Sequence, residues 1–185
     1  MTAGSTLPCM TAAQMPDSPW DVDSRHYASM SFDHRVTLYT TVVDHLEEMV
    51  ASNFGSARDW AASCSTSIAE ETSILYLSRV LSSHRFEDQA PFLLPRPVAQ
   101  HATDLGIDVG ALPDDIAAMK RVMQIRLSIP EQVGDHLAIL IGLRRPSLCA
   151  GSNRRPGMFG AMFELRFAPR HTGWEMVERQ IRWVT

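Results

Sequence analysis

Phe159-Gly160-Ala161-Met162-Phe163-Glu164-Leu165-Arg166-Phe167 is the stretch that decides the fold. Phe159, Ala161, Phe163, Leu165 and Phe167 alternate with Gly160, Met162, Glu164 and Arg166. A period of two sends the first set to one face of an extended chain and the second to the other. The result is a strand with one apolar side, and that side needs a second layer to cover it.

The same pattern runs outward on both sides. Leu137, Ile139, Ile141 and Leu143 form an apolar set after the turn signal Val133-Gly134-Asp135. Met123, Ile125, Leu127 and Ile129 alternate with Gln124, Arg126 and Ser128. A polar loop follows from Arg144 to Gly157, and Pro169 to Gly173 reads as a turn. The last third is therefore expected to be antiparallel sheet. Trp174 to Val184 fits two patterns. Strand alternation puts Val177, Ile181 and Trp183 on one side, whereas Thr172-Gly173-Trp174-Glu175 also matches a helix capping box. The tight turn before it favours a hairpin partner, hence a strand.

Upstream lies the covering layer. Phe32, Val36, Tyr39, Val43, Leu46 and Val50 recur at steps of three and four, which predicts a helix from Ser31 or Asp33 to a stop at Gly55. A short helix is plausible through Arg58-Asp59-Trp60-Ala61-Ala62. Residues 72–81 are β-prone, the three prolines between Pro91 and Pro97 are expected to end any element, and Val98 to Leu105 reads as a short helix stopped by Gly106. Pro113-Asp114-Asp115 suits the first turn of another. Residues 1–30 read as a flexible tail carrying Trp20 and Tyr27, followed by one α+β domain over 31–185.

Composition narrows the class. With 185 residues, 45% apolar and 21% charged, the chain has the make-up of a globular domain rather than a disordered one. A net charge of −4 disfavours non-specific binding to nucleic acid or anionic lipid, and no apolar run approaches the ~20 residues that cross a bilayer. Cys9, Cys64 and Cys149 are too scattered for a disulfide framework or zinc knuckle. The first arginine is Arg25, so neither a secretory signal nor a mitochondrial presequence is expected, and the cytoplasm is.

Met162-Phe163-Glu164-Leu165-Arg166-Phe167 followed by His171-Thr172-Gly173-Trp174-Glu175-Met176-Val177-Glu178-Arg179 resembles the end of a nuclear transport factor 2-like fold, in its SnoaL-like branch. The likeness covers residues 118–185, and residues 66–104 depart from the family's pattern. It implies a cone, a curved sheet wrapped around helices with a pocket between them. In that family the pocket serves isomerases, cyclases or dehydratases, or only binds a ligand, or the domain only dimerises. Fold does not choose among these. Were Trp174 to Val184 a helix, the chain would look instead like a GAF-like sensory domain.

A catalytic cone needs an acid or base facing its apolar interior. On the inward strand positions only Arg179 breaks the apolar run. Catalytic candidates must then come from helices and rims: Tyr76, His101 and Asp59, with Asp44 as a possible orienter. Tyr39, Phe159, Phe163, Arg179 and Trp183 are the expected pocket wall. Each has a bland alternative: Tyr39 as core with a satisfied hydroxyl, His101 as surface, Asp59 as a helix cap. Arg144-Arg145-Pro146 and Arg154-Arg155-Pro156 bracket a loop whose four guanidinium groups would hold an anion or acidic partner, or would merely be solvated. No two histidines sit at metal-binding spacing, and no nucleotide-binding or nucleophile-elbow motif is present. The expectation is a site for a hydrophobic small molecule, without metal or organic cofactor, in a homodimer or larger assembly.

Overall fold

The computed structural model describes residues 24–54, 74–83, 90–110, 122–146 and 158–184. Two helices lead, α1 (Ser24–Ser29) and α2 (Phe32–Phe54), then strand β1 (Ile74–Ser78) and helix α3 (Arg96–Asp104). Strands β2 (Asp108–Gly110), β3 (Val122–Leu127), β4 (Glu131–Val133), β5 (His136–Pro146), β6 (Met158–Arg170) and β7 (Gly173–Val184) complete the elements of the described residues. The tail expected over residues 1–30 ends differently from the sequence pattern: residues 24–29 are helical, and Tyr27 is a buried core residue. The helices expected at 58–62 and 113–121 lie outside the described residues.

The strands form one seven-stranded sheet in the order β2-β1-β3-β5-β6-β7, with β4 also paired to β5. It is mixed rather than antiparallel throughout. β1 runs parallel to both β2 and β3, while the β3–β5, β5–β6 and β6–β7 pairs are antiparallel. A parallel pair cannot be closed by a tight turn, and α3 is carried in the crossover from β1 to β2. That crossover explains the proline-rich stretch, which does not simply end structure. Pro95 precedes α3 and Pro97 lies in its first turn, where no backbone N–H is needed.

Residues 173–184 are strand, not helix, which removes the feature on which the GAF-like alternative rested. Gly173 begins β7 at a φ of 145°, a conformation that side chains avoid. Simple alternation in β7 fails. Register shifts leave Val177 and Arg182 without partners on β6, so each is the extra residue of a bulge. Met176, Arg179 and Ile181 therefore pair with the inward positions Phe167, Leu165 and Phe163, whereas Trp183 pairs with outward Met162.

The inward face of β3, β5 and β6 matches the alternation in the sequence. Ile125, Leu127, Ile139, Ile141, Phe163, Leu165 and Phe167 are fully buried. From α2 they meet Leu38, Tyr39, Val42, Val43, Leu46 and Met49, a stripe at helical spacing. Phe32, the first residue of α2, was expected in that stripe but is 58% exposed. No helix among the described residues is long and apolar enough to cross a membrane.

The outward face carries a charged ladder. Glu164 on β6 is buried and accepts from Arg166 Nε at 2.8 Å and from Arg182 Nε at 2.8 Å, and Arg166 Nη1 also donates to Glu178 at 2.9 Å. Burial alone would raise the Glu164 carboxyl, but hydrogen bonds and charge from Arg182 and Arg166 outweigh it and hold the group below its usual value. A carboxyl depressed on folding stabilises the native state above its unfolded value, ~4.3, and stops doing so as the pH falls through its folded value. Denaturant titrations at pH 7 and about pH 3 should show a smaller loss of stability on acidification for Glu164→Gln than for the parent chain. An unchanged loss would mean that this carboxyl is not coupled to folding.

Candidate functional site

The pairing of the β3–β4 segment with β5 shifts register by one residue at Ser128, an extra residue of the kind that bends a strand. After β3 the chain passes through Ser128, Ile129 and Pro130 before β4 resumes pairing with β5. Ser128 is fully buried, and its polar groups are satisfied locally. Its N–H donates to Leu140 O at 2.9 Å, its hydroxyl accepts from Leu140 N at 2.9 Å and donates to Ile129 O at 2.7 Å. Its carbonyl accepts the Tyr39 hydroxyl at 2.8 Å. Burial pushes the Tyr39 phenol well above its usual value, with Tyr27 adding to the effect and Arg35 opposing it. Tyr39 is thus a neutral, bonded core group that joins α2 to the sheet rather than part of a pocket wall.

Among the described residues, the interior where a ligand was expected is closely packed. Tyr39, Leu46, Phe163 and Phe167 occupy the space between α2 and the sheet without measurable exposure. Tyr76, His101 and Tyr39 do not meet. Tyr76 is paired in register with Gln124 and Asp108, one position away from buried Leu77, which puts it on the face turned away from α2. Burial and the nearby Asp108 raise its phenol. His101 on α3 does reach Asp44 on α2, with Nε2 2.6 Å from Oδ1. Both side chains are solvent-accessible, at 35% and 51% exposure, so the pair clamps two helices at the surface.

Other expected site residues are spread out. Arg179 is exposed on β7, and Phe159 pairs in register with Arg145 at the far end of β6. Arg144 and Arg145 end β5, while Arg154, Arg155 and Asp59 lie outside the described residues.

A cavity of about 500 Å³ opens elsewhere, at one end of the sheet. Three turns build it. His26, Ser29, Met30, Ser31 and His34 come from the α1–α2 junction, Gln132, Asp135 and Leu137 from the β4–β5 hairpin, and Pro169 and Trp174 from the β6–β7 turn. The junction is held by Ser31, whose hydroxyl accepts the His34 N–H at 3.3 Å as the N-cap of α2. Beneath it, Tyr27 packs edge-on to Tyr39 at 6.3 Å and to Phe92 at 5.2 Å, and Arg35 stacks 4.5 Å above the Tyr27 ring. The hairpin turns at Gly134, whose φ of 60° suits a tight two-residue turn. The indole of Trp174 is braced edge-on by the His34 ring at 6.3 Å. Pattern reading flagged the Val133-Gly134-Asp135 turn and Gly173-Trp174, but nothing in the sequence said that these turns share an end with His26 and His34. Among the described residues, no three His, Cys, Asp or Glu side chains gather as a metal-binding group.

No family model matches the chain, and no curated protein matches it.

Two substitutions separate structural from surface roles. Tyr39→Phe leaves the Ser128 carbonyl short of a buried partner and should cost about 1–3 kcal/mol in chemical denaturation. His101→Ala breaks an exposed pair and should cost no more than about 1 kcal/mol. The reverse order would make the helix–helix clamp at His101, not the helix–sheet tie at Tyr39, the essential one.

Proposed function

We propose that this chain is a non-catalytic small-molecule-binding domain, a cone-like α+β scaffold whose ligand occupies the cavity at the end of the sheet. The observation that carries this is the contrast, among the described residues, between a closely packed interior and an open, mixed-polarity cavity. The volume lies within the range of small-molecule sites, ~300–1,000 Å³. Met30, Leu137, Pro169 and Trp174 offer apolar wall, and a few polar groups converge on them. An isomerase, cyclase or dehydratase would need acid and base groups meeting within reach of one substrate. The described residues bring His101 and Asp44 together, but at the surface and away from this cavity, while the cavity's own His26, His34 and Asp135 form no hydrogen bond or ion pair with one another. The resemblance to SnoaL-like domains supports the scaffold and leaves the chemistry open.

The test is a fragment screen by two-dimensional amide NMR on the full chain. Hits should shift the signals of residues 29–34, 132–137 and 169–174 together, and Trp174→Ala should weaken them about tenfold or more. Hits that leave these three turns unmoved would remove the cavity as the binding site.

A second reading, an assembly subunit, is favoured by strand β7. It is a 12-residue strand at one end of the sheet order, with Val177 46% and Ile181 57% exposed. A long edge strand with exposed apolar residues among its charges is a template for another strand. If a second copy pairs there, light scattering should find a dimer that Ile181→Lys converts to monomer. A monomeric parent chain at high micromolar concentration would rule it out.

A further inference from the structure

The polar groups of the cavity are unequally used. The Ser29 hydroxyl donates to His26 O at 2.7 Å, and Gln132 Nε2 donates to Gly134 O at 2.6 Å. Two donors are therefore spent on the protein's own backbone. What remains at those side chains is mostly acceptor: the Gln132 amide oxygen, the Ser29 lone pairs and both oxygens of Asp135, against one remaining N–H of Gln132. Asp135 is the only lining residue with a formal charge at neutral pH, and it forms no ion pair among the described residues. The positive end of α2 borders the same space, but Ser31 caps it and Asp33 stands in its first turn, which offsets its field. The Trp174 indole also lines the cavity, and its ring is of the kind that attracts cations.

Resting on the cavity as the ligand site, we infer that its ligand is an organic cation, a protonated amine on an apolar or aromatic body. A primary ammonium brings three donors to a site with a surplus of acceptors. Asp135 provides the counter-charge and Gln132 a neutral acceptor. The body of the ligand lies along Trp174, Leu137, Met30 and Pro169. His26 and His34 complete the rim. As neutral imidazoles each adds one acceptor, and as imidazolium ions they would repel the same ligand.

Three probes of similar shape and different charge test this on the full chain: 2-phenylethylamine, 2-phenylethanol and 3-phenylpropionate. Binding is read from amide shifts of residues 133–136 and from the Trp174 indole N–H. The amine should bind about three- to tenfold more tightly than the alcohol, and the propionate least. Asp135→Asn, at an exposed turn, should erase the preference for the amine without changing the affinity for the alcohol. Trp174→Leu should weaken both. If the three probes bind alike, or the propionate binds best, the cation inference falls and the cavity stands. If no probe shifts these residues, both fall.

Discussion

A single buried hydrogen bond, from the Tyr39 hydroxyl to the Ser128 carbonyl, organises this molecule. The β3–β4 segment must break its pairing with β5 where it bends, and a broken ladder inside a core leaves amides and carbonyls without partners. The Ser128 hydroxyl takes over one bond of the ladder and Tyr39 takes the remaining carbonyl. Because every group at the bend is satisfied, the bend is tolerated, and β4 can carry Gln132 and the Gly134 turn toward the α1–α2 junction.

The same economy runs through the aromatic cluster beneath. Tyr27, Tyr39 and Phe92 meet edge-to-face, and Arg35 caps Tyr27 while donating to Ala28 O at 3.0 Å. The six residues of α1 are too few for a helix that is stable alone. They hold their place because Tyr27 is inserted in the core. The His26 and Ser29 side of the cavity is thus fixed by packing on the opposite side of the same short helix.

The outward face of the sheet has a different logic. There, β6 and β7 are bound by charge as well as by backbone. The bulge at Arg182 lets that side chain reach Glu164, and the bulge at Val177 resets which residues face α2. These shifts take Val177 and Trp183 out of the register that strict alternation gives them, while Arg179 and Ile181 stay paired with inward positions. The charged ladder and the bulges belong together: the extra residue supplies the reach, and the ion pair occupies it.

Much of the scaffold was legible without coordinates. The period-two runs of β3, β5 and β6 named residues that are buried against α2, and the helical period of α2 named most of its own, but Gln124, Ser128, Met162 and Glu164 from the opposite set are buried as well. Bulges, the parallel crossover at β1 and the insertion of Tyr27 were not legible, since each depends on a partner distant in the chain. The meeting of His101 with Asp44, 57 residues apart, is of the same kind. The cavity is the extreme case. Its residues come from three turns, and a turn's composition sets how the chain reverses but not what it will face. The sequence by itself determined an α+β chain with a one-sided sheet and the helix that covers it. Only the folded chain shows that the described residues between them are closely packed and that a cavity opens at the end of the sheet, because packing density and the positions of remote turns are properties of the assembled chain.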